Sequence, residues 1–204
     1  MASEYRLRRP HPVLLVAAVV AVLLAPMSVL PADSAFGWNS LGCRWSTNAV
    51  QWYVPAPLSS GPTWTSAASS WSGVDATLNY NSSNPHIYAT QENRGNTVVW
   101  TGVTRKKGTV QTAPVCTSGR WTRGQVEVVL NWTAISSYTS TQKRGVAAHE
   151  FGHALGLDHN SSLASSGPPP IPVALMYPYD NVRNTATITS PRTDDKNGIN
   201  AIYP

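Results

Sequence analysis

Residues 149–159 read His-Glu-Phe-Gly-His-Ala-Leu-Gly-Leu-Asp-His. On a helix His149 and His153, four residues apart, stand one above the other. Both imidazoles then reach one ion at the roughly 2.0–2.1 Å that zinc takes from a ring nitrogen. Glu150 is one step round from His149, beside the ion without being forced to bind it, where it can hold water and take its proton. Gly156 supplies the tolerance of left-handed backbone needed to leave the helix and bring His159 to the same ion. Three nitrogen ligands leave a fourth position open, the arrangement of catalytic Zn²⁺ rather than of a closed structural site. The implied reaction is amide hydrolysis. His149, His153 and His159 would bind zinc, with Glu150 as general base towards water and then general acid towards the leaving amine. A bare His-x-x-x-His pair is common by chance; the added glycine and third histidine make this pattern specific.

These residues need a helix and a frame around it. Thr139 with Gln142 three positions on has the capping-box pattern and opens a helix through Val146, Ala147 and Phe151 towards Gly156. Upstream, the alternation Val50–Val54 predicts a strand, ended by Pro55 and Pro57. Gly61 and Pro62 suit a helix start, and Trp64, Ala67, Ala68 and Trp71 fall on one face, as core packing rather than a sugar-stacking platform. Further strands are predicted at Ala76–Tyr80, Ile87–Thr90, Thr97–Thr101 and Gln125–Asn131, with Glu127 facing outward from the last. Ser161–Pro172 is Ser, Gly and Pro without periodicity and reads as a loop. A last helix is predicted from about Ser190 and Pro191 to Tyr203, with Asp194 and Asp195 at the positive end of its dipole. The fold class is α+β.

With 204 residues, the chain has room for one domain and a leader. Charged residues are only 12% and hydrophobic ones 42%, which excludes a coiled coil and charged disordered protein. Arg6, Arg8 and Arg9 precede an apolar run, Val13–Ala25, followed by small residues around Ala32–Ala35. This reads as a signal peptide, 1–35, cleaved after Ala35 or, in the alternative, Ala32. The run is shorter than the ~20 residues of a membrane span, so no stable anchor is expected. The remaining domain, 36–204, keeps 12 basic and 8 acidic residues. Arg105, Lys106 and Lys107 form the only dense basic run and read as a solvated hairpin tip, which excludes nucleic acid as a partner. Cys43 and Cys116 form an even count in an exported chain and favour a disulfide, the alternative being a thiolate on a metal. Closing so long a loop contributes on the order of 4 kcal/mol. Asp158 could orient a ligand or bond backbone in its turn. Sequons at Asn81, Asn131 and Asn160 read as chance in a Ser/Thr-rich chain.

The stretch His149–His159 resembles the zinc-binding motif of the metzincin peptidases. Within them Ala174-Leu175-Met176-Tyr177-Pro178 looks like the Met-turn of the matrixins. The tail from Thr193 to Tyr203 is similar to their final helix, and Trp71-Ser72-Gly73-Val74 to the exit of their first. The resemblance implies a metzincin-like domain: a twisted mixed sheet, an active-site helix, another helix N-terminal to it, and a C-terminal helix after the Met-turn. It implies a secreted zinc endopeptidase with one catalytic ion. Met176 would lie beneath the ligands, and Tyr177 and Pro178 would border the pocket for the side chain after the scissile bond. The protein or peptide substrate would lie extended along the edge strand, on a monomer.

Some positions depart from the matrixin pattern. Asn160 follows the third ligand where Ser or Thr is usual, neither cysteine sits in a cysteine-switch context, and Pro178 stands where other metzincins carry a tyrosine ligand. His86 is the only histidine left over for a structural zinc, so that site is expected to be missing. Calcium could bind through backbone carbonyls, but the scattered Asp75, Glu92 and Glu127 give it no support. Cleavage after Ala35 would leave the Phe36 ammonium to pair with Asp194 or Asp195. The rival in another class is a secreted Trp-rich module binding glycan or cell-wall polymer, with a structural zinc.

Overall fold

A computed structural model describes residues 38–55, 58–164, 171–172 and 174–204. The leader, its cleavage sites, Phe36 and Pro57 lie outside the described residues. Strand β1 (Ala49–Tyr53) buries Val50 and Trp52, as its alternation requires. Helix α1 (Gly61–Ser70) starts with Pro62 in its first turn and buries Trp64, Ala67 and Ala68. Then come β2 (Thr77–Tyr80), β3 (Ile87–Glu92), β4 (Gly102–Lys106), the two-residue pair β5 (Cys116–Thr117) and β6 (Arg120–Trp121), and β7 (Val126–Asn131). Helix α2 (Ser140–Ala154) follows. The chain closes with β8 (Leu163–Ala164), β9 (Ile171–Pro172), α3 (Asp180–Thr185) and α4 (Thr193–Ile202).

The main sheet runs β2-β1-β3-β7-β4, parallel except for β4, which is antiparallel to β7 and forms one edge. The architecture is the expected α+β fold with a mixed sheet. Every residue of β7 is buried, because it lies between β3 and β4 and beneath α2. Phe151 of α2 packs edge-on against Trp52 and Trp64, with ring centroids 5.5 and 5.4 Å away. The indole N–H groups of Trp45 and Trp71 donate to Ala154 and Ala148 carbonyls at 2.9 and 3.0 Å, which fixes α2 in depth. Six of the eight tryptophans are buried, as core packing requires. The Tyr203 hydroxyl accepts from the Trp45 N–H at 3.2 Å, and Arg44 Nη1 donates to the Ile202 carbonyl at 2.7 Å.

Several expectations are corrected. Thr97–Thr101 is not a strand. The Asn131 amide donates to the carbonyls of Gly95 and Trp100 at 2.9 and 3.3 Å, folding that stretch into a loop, and β4 begins only at Gly102, opposite Leu130. Arg105 is not at a solvated tip but 3% exposed. It lies across the sheet face between two carboxylates, with Nη2 donating to Glu92 at 2.5 Å and Nε to Glu127 at 2.9 Å. Glu127 does point away from α2 as alternation predicts, but this bridge buries it. Glu92 and Glu127, distant in sequence, are thereby joined through a cation. The segment 161–172 is not all loop, since β8 and β9 pair antiparallel within it; residues 165–170 lie outside the described residues. The last helix begins at Thr193, later than expected, where Asp195 accepts from the Arg192 N–H at 2.7 Å.

Candidate metal centre

The capping box that starts α2 is present in full: Thr139 Oγ1 accepts from the Gln142 N–H at 3.2 Å, and Gln142 Oε1 from the Thr139 N–H at 2.9 Å. From there the helix carries His149, Glu150 and His153 to the floor of a cleft of about 690 Å³. The chain leaves it through Gly156 at φ +108°, where a side chain would also strike the Cys43 carbonyl oxygen. The residues just beyond are braced by the N-terminal segment. Leu41 N–H donates to the Gly156 carbonyl at 2.8 Å, Asp158 N–H to the Asn39 carbonyl at 2.8 Å, and Asn39 Nδ2 to the His159 carbonyl at 2.7 Å.

The result is a triangle of Nε2 atoms: 3.1 Å between His149 and His153, and 3.2 Å from each to His159. Three tetrahedral ligands at zinc's distance stand about 3.3 Å apart, so the triangle fits one such ion capping it. The other ring nitrogens are occupied. Nδ1 of His149 donates to the Leu175 carbonyl and Nδ1 of His153 to the Leu157 carbonyl, each at 2.8 Å, which turns the Nε2 lone pairs towards the common point. Burial is the largest influence on all three rings and favours the neutral form a ligand needs: it holds His149 well below the ordinary range, His153 near 4, and His159 lowered. Asp158 bonds backbone in its turn, accepting from the His159 N–H at 2.7 Å.

Glu150 lines the same cleft and is buried; burial raises its pKa to about 7, opposed first by the Thr104 hydroxyl. That hydroxyl lies 2.9 Å from both Oε2 and the backbone carbonyl of Glu150 and pins the side chain to edge strand β4. Gly102 gives it room: a β-carbon there would meet Glu150 Oε1 at 2.7 Å.

Met176 is buried beneath α2, its sulfur occupying the space where Gly152 has no side chain. Its turn hangs on Asp195, whose carboxylate accepts from the N–H groups of Leu175 at 2.8 Å and Met176 at 3.0 Å besides that of Arg192. Pro178 lines the cleft, and Tyr177 turns its carbonyl to Arg183. Asn160, the departure from the usual Ser or Thr, is buried, donates to Asp194 at 2.6 Å and receives no exposure as a sequon. Asn131 is buried too. His86 is engaged with the Gln51 N–H and Arg123. Cys43 and Cys116 form a disulfide, and Cys116 stands on the cleft rim.

Thr104, Gly102 and Arg183 escaped sequence reasoning. Arg183 lies on α3, a polar six-residue helix without periodicity or a side-chain cap, so no local pattern marks it.

The matrixin family profile matches residues 63–204. Among curated proteins, human neutrophil collagenase is 50% identical over 58 residues, 28% of this chain and 10% of its own length. Horse interstitial collagenase is 42% identical over 72 residues, 35% of this chain and 12% of its own. The chain thus spans about a tenth of the length of these relatives. A solved structure, the GM1-bound form of the ECX AB5 holotoxin, covers 76% of this chain and 80% of its own at 14% identity and a TM-score of 0.49, so the assignment rests on the family profile. The chain belongs to the matrixins, a family of zinc metallopeptidases.

Proposed function

We propose that this chain is a secreted zinc-dependent endopeptidase, exported by residues 1–35 and acting through the domain 36–204. The observation that carries the reading is the Nε2 triangle with sides of 3.1–3.2 Å, sharing one cleft with a buried carboxylate. His149, His153 and His159 would hold one zinc ion, which supplies Lewis acidity to polarise a peptide carbonyl and to acidify water. Glu150 takes the proton from water and returns it to the leaving amine; a buried base with a pKa near 7 is poised to do both. Thr104 keeps it aimed. The outer edge of β4, whose Gly102–Thr104 line the cleft, would receive an extended peptide as a further strand. Tyr177 and Pro178 border the pocket for the residue after the scissile bond. The Cys43–Cys116 disulfide and the leader support export.

The test is hydrolysis of an unfolded protein by the zinc-loaded mature form, with a chelator and Glu150→Ala as controls. The expected result is cleavage that the chelator abolishes and that Glu150→Ala lowers by about 10²–10⁴-fold. Absence of cleavage with one equivalent of zinc bound would overturn the reading.

A further inference from the structure

Arg183 is buried to 3% exposure, yet it lines the cleft beside His149, Glu150, Pro178 and Asp180. One nitrogen, Nη1, donates to the carbonyls of Leu175 at 3.2 Å and Tyr177 at 2.5 Å and touches Nδ1 of His149. Among the described residues Nε and Nη2 make no hydrogen bond, and no carboxylate pairs with the guanidinium within 4.0 Å. Asp180, Glu150 and Asp195 are the acidic groups close enough to act on it. Each already has its own donor: the Tyr138 hydroxyl for Asp180 at 2.8 Å, Thr104 for Glu150 and three backbone N–H groups for Asp195. The contrast is with Arg105, equally buried, which holds two glutamates. A buried cation that no carboxylate touches is costly, and a guanidinium presents a planar fork that suits a carboxylate. Nη1 also holds the carbonyl of Tyr177, next to Pro178 of the cleft wall, in the segment proposed above to border the pocket after the scissile bond.

We propose that Arg183 is a specificity-determining residue whose guanidinium receives a carboxylate on the substrate residue that follows the scissile bond. That carboxylate is the side chain of Asp or Glu. This rests on the endopeptidase reading for the identity of the pocket.

The probe is a matched set of short peptides capped with a hydroxamate, which anchors on zinc and delivers the first side chain to this pocket. The set carries Asp, Asn, Glu, Gln or Leu there, each with a free or amidated terminus, and affinity is read by calorimetry on the zinc-loaded protein. Asp and Glu are expected to bind at least about tenfold more tightly than Asn and Gln. The free terminus is expected to gain no such factor over the amide, since the side-chain carboxylate is the ligand. Arg183→Met is expected to abolish the acid-over-amide ratio, and Arg183→Lys to keep part of it. An equal loss for every peptide in Arg183→Met would mark a merely structural cation and overturn the proposal. So would equal affinities of acid and amide in the unmutated protein, which needs no variant to fold. Calorimetry requires no turnover: acid-selective binding without any proteolysis sinks the peptidase reading alone, and proteolysis without acid selectivity sinks this one alone.

Discussion

Gly102 lies so close to Glu150 that a β-carbon on it would sit 2.7 Å from Oε1 and 2.9 Å from Cγ, and 2.8 Å from Val146 Cγ1. The edge strand and the helix therefore meet at the proposed base itself. Gly102→Ala should push the carboxylate aside while leaving the three imidazoles alone. We expect kcat/KM to fall about 10²-fold, the cost of a misplacement near 1 Å, at unchanged zinc stoichiometry. Loss of zinc in step with activity would contradict this.

Thr104→Val keeps the shape and removes the hydroxyl 2.9 Å from Glu150 Oε2. Donation to the carboxylate favours its ionised form, so its removal raises the Glu150 pKa further. A general base works only when ionised. The acidic limb of the kcat/KM profile should therefore move to higher pH, with a modest loss on the plateau. An unmoved limb would argue that Thr104 does not touch the working carboxylate.

Asp195 accepts three backbone N–H groups, two of them in the Met-turn, at 1% exposure. Asp195→Asn replaces one acceptor by a donor facing a donor. We expect a loss of about 2–3 kcal/mol in urea unfolding, and a drop of roughly 5–10 °C in Tm. Zinc affinity should weaken as well, because the Leu175 carbonyl that orients His149 hangs from this turn.

His86 gives the fold a pH dependence separate from the cleft. Its Nδ1 accepts from the Gln51 N–H at 2.9 Å, and burial, then Arg123, lowers its pKa to about 4. Unfolded, the ring takes its ordinary value near 6.5. Its contribution is complete above the unfolded value and is lost as pH falls from about 6.5 to about 4. His86→Gln, which cannot titrate, should show a shallower decline in urea midpoint across that window; parallel declines would refute the assignment.

What could be read in advance was whatever is local. His149 and His153 declare themselves by one helical turn, and Thr139 with Gln142 by a capping box three positions apart. Arg105 and Glu127 could not be seen as partners, because they become neighbours only once β4 pairs with β7. Thr97–Thr101 misled for a related reason. Val98 and Val99 favour a strand, but the Asn131 side chain claims the carbonyls on either side, leaving Val99 fully open to solvent. Thr104, Gly102 and Arg183 each matter through a contact more than 30 residues away in the chain, which periodicity does not record.

The bracing of the third imidazole closes a ring through the two ends of the domain. The turn that presents His159 is tied to Asn39 and Leu41, and that same N-terminal stretch is locked in turn by Ile202 and Tyr203 through Arg44 and Trp45. Both flanks of this ring of contacts are needed before the triangle of nitrogens is rigid. The stiffness of the nitrogen triangle is thus a property of the whole domain, since the last bonds that hold it come from Ile202 and Tyr203.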